Sequence, residues 1–171
     1  MARWALLAVL AAACASGGCG RAGGAGASTS SQQAQVGRPA PNWSETSLPG
    51  PTLSLGSLRG KAVYLNFFAT WCPPCNQEAP AIDTLARKYR ARGLQVVGVD
   101  VLENARKAAG FRTVHRLSYP VVVDDGTLRD QYEVNGLPVH VFIDRSGTVR
   151  KIVVGELSPD AIISIVQPML R

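Results

Sequence analysis

Cys72-Pro73-Pro74-Cys75 limits this chain more than any other feature, because it sits where two hydrophobic periodicities meet. Upstream, residues 61–68 (KAVYLNFF) are apolar at both alternating positions apart from Asn66, the pattern of a strand buried on both faces. Downstream, residues 76–92 place Ala79, Ile82, Leu85, Ala86 and Tyr89 at spacings of three and four, with Asp83, Arg87, Lys88 and Arg90 elsewhere. That spacing predicts an amphipathic helix. A Cys-x-x-Cys at the start of a helix sets the first sulfur at the exposed end and the second one turn below, within reach of a disulfide. Helix N-terminal amides stabilise a thiolate and lower a cysteine pKa from about 8.5 into a range of ~3.5 to 7.5. Cys72 is therefore expected to be the nucleophile, and Cys75 the shielded thiol that attacks the resulting mixed disulfide.

Two blander uses of the pair fit less well. Half a zinc site needs two more ligands, but beyond Cys14 and Cys19 near the start of the chain there is no other cysteine, and His115 and His140 have no partnering spacing. No metal is expected. A purely structural bridge across four residues restrains little of the unfolded chain.

The remaining pattern reads as alternating strands and helices. Residues 94–101 (LQVVGVDV) form a second buried strand, 104–117 a basic helix-like stretch ending before Pro120, and 120–123 a short strand. Residues 128–132 give a short helix, and 139–143 with 149–154 a hairpin across Asp144-Arg145-Ser146-Gly147. Ser158 caps a final helix with Pro159 at its first position. The order predicts an α/β domain with a central mixed sheet covered by helices.

The 171 residues suffice for one such domain and little more. The 17 Gly and 11 Pro follow no fixed period, which excludes collagen and solenoid repeats. A net charge of +6 raises the question of nucleic acid. Setting aside Arg3 and Arg21, however, sixteen basic residues face twelve acidic ones, with no basic run longer than a pair and no interleaved aromatics. No nucleic-acid partner is expected.

Residues 1–19 have the shape of an export signal: Arg3, then an uncharged stretch through Leu6, Leu7, Val9 and Leu10 into Ala and Gly. The strongly apolar part is about ten residues against the about 20 that span a bilayer. Cys14 and Cys19 both resemble the lipid-bearing residue of a lipoprotein signal, and Cys19 is the expected lipidation site; ordinary cleavage after Ala15 and an uncleaved anchor are the alternatives. Residues 20–35, rich in Gly, Ala, Ser and Gln, read as a flexible linker with a reach of about 20 Å. The folded domain is expected at 36–171.

Phe68-Ala69-Thr70-Trp71-Cys72-Pro73-Pro74-Cys75, with Pro80 beyond it and Gly136-Leu137-Pro138 ahead of a strand, resembles the thioredoxin superfamily. The lead-in Val36-Gly37-Arg38-Pro39-Ala40-Pro41, Leu58-Arg59-Gly60-Lys61, Cys-x-x-Cys-x-x-Glu at 72–78 and Phe142-Ile143-Asp144-Arg145-Ser146-Gly147 narrow the likeness to its TlpA-like and ResA-like extracytoplasmic branch. The resemblance implies a thioredoxin-like fold of four or five core strands, with an N-terminal extension and an inserted helix near 104–117. It further implies a cis Leu137-Pro138 bond facing the cysteines, with Trp71, Pro73 and Leu137 touching the client. The implied activity is thiol-disulfide oxidoreduction in the reducing direction, with no cofactor beyond the Cys72-Cys75 disulfide. Implied partners are cysteine-containing exported proteins such as apocytochrome c and a membrane thiol-disulfide electron donor, the chain itself being monomeric and tethered to a membrane by lipid or an N-terminal anchor. Phe68 stands where the family usually has Trp, and His140 where a small hydroxyl residue is common; His140 reads as a structural histidine.

Two other activities fit the residues less well. A peroxiredoxin-like thiol peroxidase needs Pro-x-x-x-Thr-x-x-Cys, and Leu65 and Ala69 occupy those places. A copper chaperone of this fold uses three residues between its cysteines. Glu78, three residues after Cys75, shares a helix face with it at about 5 to 6 Å between Cβ atoms. Thioredoxin itself carries an Asp at the place of Asn66, which cannot take a proton, so Glu78 is the expected base for the resolving thiol, partly buried and with a raised pKa.

Overall fold

The computed structural model describes residues 33–171; Cys14, Cys19 and the export-signal and most of the linker assignments lie outside the described residues. In chain order the elements are β1 (Ser44–Leu48), β2 (Thr52–Ser54), a 3-10 turn (Leu55–Leu58), β3 (Ala62–Phe68), α1 (Pro73–Arg90), β4 (Leu94–Asp100) and α2 (Ala105–Val114). They continue with β5 (Val121–Val123), α3 (Thr127–Gln131), β6 (Val139–Ile143), β7 (Val149–Val154) and α4 (Pro159–Met169). Every residue of β3 is buried, as its double-sided apolar run requires.

The strands make one seven-stranded sheet in the order β2-β1-β5-β4-β3-β6-β7. The strands β3, β4 and β5 run parallel, and β6 pairs antiparallel with β3 and β7 with β6. This mixed sheet with helices on its faces is the thioredoxin-like arrangement that the family resemblance implies. Its width exceeds the implied four or five strands. The lead-in hairpin β1-β2 pairs antiparallel with β5 through Ser47↔Val122 and Leu48↔Val121, so the N-terminal extension covers what would be an open three-residue edge strand. The chain joins the fold slightly before the expected boundary, where the Ala34 N–H donates to Gln131 O at 2.8 Å.

Side-chain alternation divides the interior into two layers. On one face Ala62, Tyr64 and Phe68 of β3 pack with Ile82, Leu85 and Tyr89 of α1, Phe111 of α2 and Ile162 and Val166 of α4. On the other, Val63, Leu65 and Phe67 meet Trp43, Leu55, Leu58, Leu128 and Tyr132. Each fully buried large apolar side chain contributes about 1.5 to 3 kcal/mol. Gly98 lets the first layer close: a Cβ there would lie 3.1 Å from Phe68 Cε1 and 3.2 Å from Val121 Cγ2.

Helix α1 begins three residues before the periodicity alone suggests. Cys72 is its N-cap and Pro73 its first residue, whose missing N–H costs nothing at that position. The inserted helix appears as α2, capped by the Asn104 side chain, which accepts from the Arg106 and Lys107 amides.

Candidate active site

The site lies where β3 hands over to α1. Cys72 and Cys75 are joined by a disulfide with Cα atoms 5.3 Å apart. Cys72 Sγ accepts the Cys75 N–H at 3.3 Å, so the first cysteine holds the N-cap position that favours negative charge on its sulfur. In one respect the expectation fails: Cys72, expected at the exposed end, is only 3% accessible, hardly more than Cys75. Bonding to Cys75 turns its sulfur toward the helix and into the apolar cluster of Phe68 and Ala79.

The approach to the cysteines is pinned by polar groups. Thr70 donates its N–H and hydroxyl to the Glu103 carboxylate, which Lys107 also pairs at 3.0 Å. These bonds hold the Glu103 carboxyl below its usual range despite some burial. Asn76 Nδ2 donates to Thr70 O at 3.0 Å and to Cys72 O at 2.8 Å, and its Oδ1 lies 3.0 Å from His115 Nε2. Glu103 and His115 reach this loop from 33 and 39 residues away, and no local pattern marks either as belonging here.

Leu137-Pro138 is cis, and Leu137 packs against the cluster that contains both cysteines. Pro138 is buried and Pro73 exposed. Trp71 is 59% exposed although it precedes a buried cysteine. Trp71 and Leu137 line the same groove of about 770 Å³, together with Val101, Leu102, Arg129 and Val134.

Below the disulfide, Glu78 is 4% exposed. Burial pushes its carboxyl up to about 7, against the Asn66 side chain and the Leu157 backbone amide, with the charge of Glu156 adding to the rise. Asn66 Nδ2 donates to Glu78 Oε1 at 3.1 Å, and Glu78 Oε2 has no hydrogen-bond partner. His140 is fully buried beside it, with Nε2 at 3.6 Å from that oxygen and 3.0 Å from Gly155 O. Its Nδ1 lies 2.8 Å from the Tyr64 hydroxyl. Burial brings His140 down to about 4, so the ring is neutral at physiological pH. Spacing along the helix anticipates the raised, buried Glu78; it does not show that Tyr64 and His140 close around it, because β3 and β6 must pair before they meet.

A second buried acid, Asp100 at the end of β4, is wholly enclosed with both oxygens unpartnered, and burial with the nearby Glu103 charge pushes it up to about 7. Glu45, Asp124 and Asp125 bring carboxylates within 4.8 Å of one another, but both Asp124 oxygens already accept amides at the start of α3. Among the described residues no helix is long and apolar enough to cross a membrane.

Comparison with known proteins agrees with this geometry. The family model of the AhpC/TSA family matches residues 36–152. The thiol-disulfide oxidoreductase ResA of a Bacillus cereus strain is 36% identical over 126 residues, 73% of each chain. A thiol:disulfide interchange protein of the thioredoxin family from Chlorobium tepidum superposes with a TM-score of 0.74 at 32% identity, covering 81% of this chain and 99% of its own. A secreted Mycobacterium tuberculosis disulfide oxidoreductase is similar at 28% identity and a TM-score of 0.67, over 74% of this chain and 95% of its own. With the cysteine pair at the head of α1 and a cis-proline loop against the same cluster, the chain belongs to the AhpC/TSA family, as a thiol-disulfide oxidoreductase of the ResA-like branch of the thioredoxin superfamily.

Proposed function

We propose that this protein is a membrane-tethered, extracytoplasmic protein-disulfide reductase acting on cysteine-containing exported proteins, with apocytochrome c as the client class. The observation that carries the reading is the N-cap position of Cys72, whose sulfur accepts a helix amide. In the reduced protein the Cys72 thiolate attacks a client disulfide, forming the Cys72–client bond and expelling one client thiolate. Glu78 takes the proton from the Cys75 thiol. The Cys75 thiolate then attacks Cys72 Sγ, the Cys72–Cys75 bond forms, and the second client sulfur leaves and is protonated. Two electrons pass to the client, and a membrane thiol-disulfide donor returns them. The exposed Trp71 and the half-buried Leu137 give an extended client a surface beside Pro138, whose neighbouring backbone pairs with it as an added strand. The tether is the lipid on Cys19 or an N-terminal anchor, and the folded domain works as a monomer.

A Cys75→Ala variant expressed in its own cells tests this directly, because without the resolving thiol the mixed disulfide accumulates. Recovery of exported, cysteine-bearing proteins bonded to Cys72 is the expected result. Trapping of cytoplasmic proteins alone, or of none, refutes the reading.

A further inference from the structure

Asn66 and His140 are direct cross-strand partners of β3 and β6, so the pairing register sets the imidazole beside the amide that already holds Glu78. Two atoms then fix the ring. Gly155 O can only accept, so His140 Nε2 carries the hydrogen at 3.0 Å from it. Nδ1 is left as an acceptor, 2.8 Å from the Tyr64 hydroxyl, which donates. The Nε2–H therefore stands between Gly155 O and the unpartnered Glu78 Oε2 at 3.6 Å. With the Asn66 amide on Oε1 and the Leu157 amide nearby, an ionised Glu78 still has an oxygen without a hydrogen bond; a charge-assisted donor to Oε2 is what it lacks.

We propose that His140 is a positioning residue for Glu78: its Nε2–H, locked in one tautomer by Tyr64 and Gly155, turns from the Gly155 carbonyl to Glu78 Oε2 whenever Glu78 is ionised. His140 itself neither gains nor loses a proton. The proton that Glu78 takes comes from Cys75 and leaves from Glu78, and the histidine sets how readily the carboxylate form is populated. The inference rests on the proposed role of Glu78 in dithiol exchange. The other groups facing this pocket do not supply the missing donor. Tyr64 is committed to Nδ1, the buried Tyr119 stays an uncharged phenol, and the charge of Glu156 opposes the ionised form. The Leu157 amide favours ionisation, yet Oε2 keeps no hydrogen-bond partner. An apolar side chain at 140 would leave the same oxygen bare.

The test follows the second release of thionitrobenzoate when the reduced full-length protein reacts with Ellman's reagent, the phase in which Cys75 resolves the mixed disulfide, from about pH 5 to about pH 9. In His140→Leu the midpoint of this phase should move up by about one pH unit, with a roughly tenfold slower release near pH 6. In His140→Gln, which keeps an N–H near the Nε2 position, it should return toward the wild-type value. An unmoved midpoint in His140→Leu, or equal shifts in both variants, overturns the proposal and leaves His140 a packing residue. Nitrogen NMR of the wild-type protein reads the same point without any variant. The Nε2–H tautomer should persist throughout, with the Nε2 resonance moving at the Glu78 midpoint; the opposite tautomer or a flat resonance overturns it. Failure of the underlying reading looks different. Wild-type protein that releases no second thionitrobenzoate at any pH, or a Glu78→Gln variant with an unchanged profile, removes the exchange role of Glu78, while the NMR titration still reports on the His140–Glu78 contact.

Discussion

Glu78→Gln should gain stability on the wild-type folded, oxidised protein as pH rises through neutrality, an uncommon result for altering a buried residue. The Glu78 carboxyl rises on folding from 4.5 to about 7. Below pH 4.5 both folded and unfolded chains hold the proton, and the group has no effect on stability. Between 4.5 and about 7 the folded state keeps a proton that the unfolded state has released, so stability falls as pH rises; above 7 the loss is complete. At about 1.4 kcal/mol per pH unit the full effect is about 3 kcal/mol, and nearer 2 kcal/mol after allowance for partial solvent screening. Gln is isosteric and still accepts from Asn66 Nδ2, but it carries no charge to bury. Its amide N–H faces the His140 Nε2–H, a cost that does not depend on pH while His140 stays neutral and so cancels between two pH values. Urea unfolding of both proteins near pH 4.5 and near pH 8 should show the variant gaining about 2 kcal/mol on the wild type across that interval. Asp100 adds a slope of the same sign to both proteins, rising from 3.8 to about 7, which is why the difference and not the wild-type curve is the readout. A stability difference that is the same at both pH values would refute the assignment of the raised pKa to burial of the charged form.

In the reduced protein near neutral pH, limiting iodoacetamide should modify Cys72 before Cys75, since opening the bond frees the N-cap sulfur while Cys75 stays one helical turn inside; mass mapping that finds Cys75 modified first reverses the two roles. Gly98→Val should cost about 1 to 3 kcal/mol in urea unfolding, because the added atoms meet Phe68, Val121 and Tyr119 at distances where the neighbours must shift. An unchanged midpoint would mean that this layer has slack.

Much of this molecule is legible locally. The double-sided apolar run becomes β3, the three-and-four spacing becomes α1, and the residues around Asp144–Gly147 become the β6-β7 turn, because each depends on side chains a few positions apart. The cysteine pair announces its chemistry for the same reason, since one helical turn relates Cys72 to Cys75 and Cys75 to Glu78. What the sequence could not determine was every relation made by strand pairing or by packing between distant segments. The lead-in hairpin joins the sheet because β5 is short and needs an edge partner. Glu103 holds Thr70 from 33 residues away. Burial of Cys72 follows from the closed disulfide and the cluster around it, not from its place at the head of a helix. His140 is the clearest case: on its own strand it is one polar residue among Val139, Val141 and Phe142, and it becomes part of the Glu78 site because the register that opposes Asn66 to it encloses both away from water. Spacing along a chain fixes which side chains share a helix face; which buried groups must satisfy one another is decided only when the sheet closes.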